Sequence, residues 1–213
     1  MNCRKENLLL YAVTDRSWLN GRTLYEQAEE ALQGGVTMLQ LREKKMPEPE
    51  LFKEAERMKA LCAGYQVPLI INDNVELACR VDADGVHVGQ KDTDVLTARR
   101  ILGPDKIIGV SARTVEQALL AQEQGADYLG VGAVFPTGTK QDAQVISYER
   151  LRSICEAVSI PVAAIGGITR DNLGSLSGSG ISGIAVVSAV FAQPDIRQAV
   201  RELREKAAAL ERV

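Results

Sequence analysis

Apolar residues fall along this chain in short, β-branched runs separated by longer stretches of helical period. Eight runs stand out: Leu8–Thr14, Val36–Leu41, Val67–Ile71, Gly85–Val88, Lys106–Val110, Tyr128–Gly132, Pro161–Ile165 and Gly183–Val187. Between them, Leu24, Ala28, Ala31 and Leu32 share one helical face, as do Leu51, Ala55, Met58 and Cys62, and Val115, Ala118, Leu119 and Gln122. Strand-like runs alternating with amphipathic helices predict βα units and a parallel sheet. Thr23 with Glu26, and Thr114 with Gln117, have the spacing of a capping box, in which the hydroxyl takes a free helix N–H and the longer side chain reaches back. Gly34-Gly35 and Gly125 supply the left-handed residue that stops a helix.

The even-numbered runs also resemble one another. Gly35-Val36, Asp84-Gly85-Val86, Ala126-Asp127-Tyr128 and Ser182-Gly183-Ile184 each lead from a helix into a run, and the run starts are spaced by 49, 43 and 55 residues. Such a loose repeat of two βα units over eight strands closes most naturally into a (β/α)8 TIM barrel, expected here as one domain over residues 1–213. The stretch from Pro194 onward, rich in Ala, Glu and Arg, reads as the last barrel helix. An open doubly wound sheet would need a glycine-rich dinucleotide loop after the first strand. That turn reads Val13-Thr14-Asp15-Arg16-Ser17-Trp18 and contains no such loop.

Composition narrows the chemistry. The 213 residues, 46% hydrophobic and 25% charged, make an ordinary globular chain, short against the roughly 250 residues of a typical barrel, so the rim loops are left to carry function. A net charge of −3 offers nucleic acid no attractive field, and one Trp, five Tyr and three Phe are too few for a base-stacking platform. Near the N-terminus only Leu8–Val13 is continuously apolar, shorter than a signal-peptide core or a membrane span, which predicts a cytoplasmic protein with no membrane partner. Cys3, Cys62, Cys79 and Cys155 are 59, 17 and 76 residues apart, and His87 is the single histidine. Zinc-type spacing is therefore lacking, and any metal is expected to be a hard, oxygen-ligated cation.

In a barrel, chemistry collects where strands end. Strand seven ends in Gly166-Gly167 and strand eight in Val187-Ser188, at the loops where this fold most often seats a phosphate on free backbone amides. A second anion site is expected across the rim. Gln40 and Arg42, two apart on strand two, point the same way, inward, and Lys44-Lys45 follow. Asp73 ends strand three, and Asp92 lies just past the end of strand four, so two carboxylates can converge on one magnesium-like ion that also takes phosphate oxygens. The loop Val134–Ala143 carries Thr137, Gly138, Thr139 and Lys140, suited to closing over a phosphorylated substrate and supplying a cation. His87 sits within strand four rather than at its end, which reads as a core or supporting position. Two phosphate-type sites, one cation and no obvious general base point to the joining of two phosphorylated small molecules with diphosphate leaving.

Ordered motifs then carry a resemblance from about Tyr11 to Phe191: Gln40-Leu41-Arg42-Glu43-Lys44, Ile71-Asn72-Asp73-Asn74, Asp84 through Gln90 with Asp92, Gly109-Val110-Ser111, Gly132 through Lys140, and Ile165-Gly166-Gly167-Ile168. In these the chain resembles the thiamine phosphate synthase family, which joins hydroxymethylpyrimidine diphosphate to a thiazole phosphate. The resemblance implies that Gln40, Leu41, Arg42, Glu43, Lys44, Asn72, Ser111 and Lys140 hold the pyrimidine diphosphate. It implies Thr137, Gly138, Thr139, Gly167, Val187 and Ser188 for the thiazole phosphate, and Asp73 and Asp92 for Mg2+. Lys140, Ser111, Lys44 and Arg42 form the implied catalytic set of a dissociative reaction, in which diphosphate departs before the thiazole nitrogen attacks. The alternative is a sister group of the same barrel, the thiazole tautomerases, which use a histidine in the region of Arg113 and lack much of the diphosphate clamp. Thr137-Gly138-Thr139 has a smaller middle residue than the family often shows there.

Overall fold

Parallel pairing joins each strand to the next and the eighth to the first, so the sheet closes into a barrel in sequence order. The computed structural model describes residues 2–138 and 144–210. The strands are β1 (Leu10–Val13), β2 (Met38–Leu41), β3 (Leu69–Asn72), β4 (Gly85–Val88), β5 (Ile107–Ala112), β6 (Tyr128–Gly132), β7 (Val162–Ile165) and β8 (Gly183–Val186). The helices are α1 (Lys5–Leu8), α2 (Leu24–Gly34), α3 (Glu48–Gly64), α4 (Val75–Arg80), α5 (Val95–Leu102), α6 (Val115–Glu123), α7 (Tyr148–Ala157), α8 (Ser188–Phe191) and α9 (Ile196–Leu210). Short 3-10 turns follow β1 at Arg16–Trp18 and β7 at Leu173–Leu176. No helix among the described residues is long and apolar enough to cross a membrane.

Each strand is buried on both faces, which is why the runs read as nearly continuous apolar stretches. Leu10, Ala12, Leu39, Leu41, Leu69, Ile71, Val86 and Val88 face the helices in one large core. Tyr11, Val13, Met38, Ile70, Ile107, Tyr128, Ala163 and Ala185 fill the barrel interior in a second cluster, which Cys3 and Leu8 join from below. The first run begins later than its sequence suggested, because Leu8 is the end of α1, a plug under the barrel. Gly183 makes room for that plug: a Cβ there would lie 1.9 Å from the Leu8 carbonyl oxygen.

The repeated lead-ins have a common job at the N-terminal rim. Thr37, Asp84, Asp127 and Ser182 each precede an even strand, and each donates its backbone N–H to the preceding odd strand, to the carbonyls of Leu10, Leu69, Ile108 and Val162 at 2.9, 3.0, 2.7 and 2.8 Å. Three of them return the bond with a side chain: Thr37 Oγ1 accepts from Leu10 N–H at 2.9 Å, Asp84 Oδ2 from Leu69 N–H at 2.8 Å and Asp127 Oδ2 from Ile108 N–H at 3.0 Å. Thr37 thus holds the edge of β1 and lies outside the β2 ladder, so β2 starts after the expected Val36.

Two strands run further toward the C-terminal rim than their apolar runs. Asn72 and Ser111 are polar but stay in the ladder, paired with His87 and Gly130. Thr23 and Glu26 form the reciprocal box, with Thr23 Oγ1 accepting from Glu26 N–H at 3.1 Å and Glu26 accepting from Thr23 N–H at 2.7 Å. Thr114 caps α6 through Gln117 N–H at 3.2 Å, but the Gln117 side chain reaches one residue further, to the N–H of Arg113 at 2.8 Å. The α6 face also turns from its expected register: Ala118 and Ala121 are buried, whereas Leu119 is exposed.

Candidate active site

The C-terminal mouth of the barrel holds a cavity of about 160 Å3, enclosed by residues from all around the rim. Gln40, Arg42, Asn72, Ser111, Thr137, Gly167, Val187 and Ser188 line it. Residues that sequence reasoning had not put in the site line it as well, among them Tyr11, His87, Gly130 and Arg113. Beside it, a second depression is bounded by Leu41, Glu43, Lys44 and Asp73, and Asn72 is common to both walls. The structure therefore divides the expected pyrimidine diphosphate residues between two adjoining hollows with Asn72 on the partition.

Strand alternation explains the division. Gln40 and Arg42 point into the barrel, while Leu41 turns outward into the helix-facing core and meets the second hollow from behind. Arg42 is fixed from two sides. Its backbone N–H donates to the buried Thr14 Oγ1 at 2.9 Å, and its guanidinium pairs with Asp15 at 3.3 Å. Glu43 pairs with Arg16 at 2.8 Å, its own side chain nearly fully buried, and that burial pushes the carboxyl upward against the pull of Arg16. Crossed ion pairs thus tie the loop after β1 to the loop after β2. Lys44 stays exposed at the edge of the second hollow.

Asp73 stands in a left-handed conformation, φ 60°, directly after β3, with its N–H donated to the His87 carbonyl at 2.9 Å. Asn74 caps α4 through Leu77 N–H at 2.8 Å, so the turn is held on both sides of the carboxylate. Asp92 accepts from Gly89 N–H at 2.8 Å. The two carboxyls meet across the ends of β3 and β4. Burial raises the Asp73 carboxyl first, and the facing Asp92 raises it further by charge and by hydrogen bonding, while Asn72 and Lys44 pull it down. No cluster of three or more His, Cys, Asp or Glu side chains suited to a metal occurs among the described residues. Two carboxylates that repel each other beside a phosphate-sized hollow fit a magnesium ion, which keeps waters and substrate oxygens in its remaining positions.

On the opposite side, Gly167 has φ 67°, and a Cβ there would sit 2.4 Å from the Pro136 carbonyl oxygen. The loop after β6 lies directly on the turn after β7, joined by Val134 N–H to Ile165 O and Phe135 N–H to Gly166 O, both 3.0 Å. Thr137 faces the cavity and Gly138 is exposed. Thr139 and Lys140 lie outside the described residues.

The barrel floor carries polar groups that strand patterning hid. His87 Nδ1 is 2.9 Å from Tyr128 Oη and His87 Nε2 is 2.9 Å from Ser111 Oγ. Tyr128 and Tyr11 meet hydroxyl to hydroxyl at 2.8 Å, their rings edge to face. Burial pushes both phenols well above their ordinary range, so both stay protonated. Tyr11, His87 and Ser111 all occupy inward places in their strands, which the apolar pattern alone does not reveal.

The family profile described as thiamine monophosphate synthase matches residues 10–190. The thiamine-phosphate synthase of Clostridium tetani is 48% identical over 203 residues, covering 95% of this chain and 97% of that protein. That of Ruminiclostridium cellulolyticum is 49% identical over 201 residues, covering 94% and 96%. Among solved structures, the thiamine phosphate pyrophosphorylase of Pyrococcus furiosus superposes with a TM-score of 0.89 at 42% identity, covering 97% of this chain and 98% of that one. With a profile match over most of its length and near half its residues shared end to end, the chain belongs to the thiamine monophosphate synthase family, transferases of thiamine biosynthesis.

Proposed function

We propose that this chain joins 4-amino-2-methyl-5-hydroxymethylpyrimidine diphosphate to 4-methyl-5-(2-phosphoethyl)thiazole, or its carboxylate, releasing thiamine phosphate and diphosphate. The observation that carries this reading is the two-ended site: paired Asp73 and Asp92 beside Lys44 at one end, the Gly167 turn and Ser188 at the other, and two adjoining hollows that share Asn72 between them. Such a layout suits two anionic substrates whose reacting ends meet in the middle.

The reaction is dissociative. The bond from the pyrimidine methylene carbon to the diphosphate oxygen breaks, diphosphate keeps the electron pair, and the electron-rich aminopyrimidine stabilises the cation until the thiazole nitrogen forms the new C–N bond. Mg2+ held by Asp73 and Asp92 would supply positive charge to the diphosphate oxygens. Arg42, Lys44 and Lys140 meet the charge that develops on the leaving group, an electrostatic contribution that is usually large in a water-poor site. Gln40, Asn72 and Ser111 orient the pyrimidine diphosphate, with Leu41 and Glu43 shaping the adjoining hollow. Thr137, Gly138, Thr139, Gly167, Val187 and Ser188 seat the thiazole phosphate. Ala163, Ile165 and Ala185 give the cavity an apolar side that limits capture of the cation by water. Both substrates are phosphorylated small molecules, no nucleic acid is involved, and the reaction runs in the cytoplasm.

Purified protein given both substrates and magnesium is expected to form thiamine phosphate, and to stop when a chelator is added. Absence of product with magnesium present sinks this reading. Conversion of the thiazole carboxylate tautomer without any pyrimidine substrate would favour the isomerase instead.

A further inference from the structure

Five polar side chains from five strands form one hydrogen-bonded file across the barrel. The amide Nε2 of Gln40 on β2 donates to Tyr11 Oη on β1. Tyr11 meets Tyr128 on β6 at 2.8 Å, Tyr128 meets His87 Nδ1 on β4 at 2.9 Å, and His87 Nε2 meets Ser111 Oγ on β5 at 2.9 Å. The sheet makes room for it. A Cβ on Gly109 would come within 2.1 Å of the Tyr128 ring, and one on Gly130 within 3.0 Å of His87 Cε1. Gln40, Tyr11, His87 and Ser111 border the cavity, while Tyr128, fully buried, joins Tyr11 to His87 beneath it.

With Gln40 Nε2 as donor, the file takes one direction: Tyr11 Oη accepts from Gln40, so its own proton goes to Tyr128 Oη. The Tyr128 proton then goes to His87 Nδ1, the imidazole proton sits on Nε2 and goes to Ser111 Oγ, and the Ser111 proton is left for the cavity. Each group spends one proton and accepts one. With the Gln40 amide reversed, every bond would reverse, and Ser111 would offer the cavity a lone pair. Diphosphate oxygens are acceptors only, so the first polarity is the one that suits such a ligand.

We propose that Tyr11, Tyr128 and His87 are positioning residues: they hold His87 as its neutral Nε2–H tautomer and thereby commit the Ser111 hydroxyl to donate to bound pyrimidine diphosphate. The ligand half of this inference rests on the synthase reading; the tautomer half does not. A single histidine makes the tautomer directly readable, because 15N-histidine labelling reports on His87 alone. At neutral pH the ligand-free wild type is expected to show a protonated Nε2 and an unprotonated Nδ1. A proton on Nδ1, or on both nitrogens, overturns the relay whether or not the enzyme makes thiamine phosphate.

A mutant cycle tests the ligand half. Tyr128→Phe keeps the ring and removes the link, and is expected to lower kcat/KM for the pyrimidine diphosphate about tenfold, leaving KM for the thiazole phosphate unchanged. In a Ser111→Ala background the same change is expected to cost almost nothing further, because the relay acts through that hydroxyl. An equal loss in both backgrounds would make Tyr128 merely structural and overturn the proposal. Tyr11→Phe, one link further away, gives the same pattern if Tyr128→Phe does not fold.

Discussion

The two ends of this barrel use the same residue types to opposite effect. At the N-terminal end, Asp84 and Asp127 each bind a strand N–H and one cation, Lys59 at 2.7 Å and Arg99 at 2.7 Å. Arg99 also donates to the carbonyls of Gly103 at 3.1 Å, Pro104 at 3.3 Å and Gly125 at 3.1 Å. Both of these carboxylates have a fixed cationic partner in the protein. At the C-terminal end, Asp73 faces another carboxylate and stands on a left-handed backbone, and Lys44 is exposed. Carboxylates that satisfy strand ends hold the sheet closed. Carboxylates left facing each other are poorly placed for the folded chain alone and well placed for a cation and its ligand, as expected where a fold gives up stability for function.

The largest effect should come from breaking the N-terminal end. Asp127→Ala strips Arg99 of its carboxylate and leaves the N–H of Ile108 unbonded, which should cost about 3 kcal/mol, or roughly 10 °C in melting temperature. The surviving folded enzyme should keep its kcat, since no cavity group moves. A large loss of kcat without a loss of melting temperature would erase the contrast between the ends. Next in size, Asp73→Asn should reverse the pattern. It removes a repulsion, so the melting temperature should hold or rise, while turnover falls about a hundredfold, equivalent to about 2.7 kcal/mol in the barrier, and needs more magnesium. Equal activity over a magnesium titration would take Asp73 out of the site.

How much of this could be read beforehand follows the same division. The lead-ins Asp84-Gly85, Asp127-Tyr128 and Ser182-Gly183 are contiguous in sequence, so their repeat was visible even though their job, capping the odd strands, was not. Asp73 and Asp92 end neighbouring strands, and their meeting followed from barrel order alone. The relay was hidden, because Tyr11 and Tyr128 are 117 residues apart and lie in strands apolar on both faces, where alternation carries no inward or outward signal. His87 was correctly kept from the strand end, but its partners Tyr128 and Ser111 could not be named without the register that sets it beside Asn72 and Gly109. Leu8 and Leu119 misled for a simpler reason. Hydrophobicity marks what can be buried, and Leu8 serves a plug rather than a strand, while Leu119 is left exposed on α6.

The smallest test asks whether the N-terminal end is stabilised by its hydrogen bonds or by its charges. Thr37 does at β2 what Asp84 and Asp127 do at β4 and β6, but without charge: its hydroxyl accepts from Leu10 N–H and donates to the Asn7 carbonyl, each at 2.9 Å, tying α1 to β1. Thr37→Val preserves the shape and removes both bonds, leaving a strand N–H and a helix carbonyl unpaired. The expected cost is about 1 kcal/mol, or some 3 °C in melting temperature, with faster amide exchange confined to residues 7–10 and unchanged substrate affinity. A loss as large as that of Asp127→Ala would mean that the repeated strand cap itself carries the stability of this end. A loss near the expected size assigns the difference between the two variants to the ion pair with Arg99, a feature that Asp73 and Asp92 lack among the described residues.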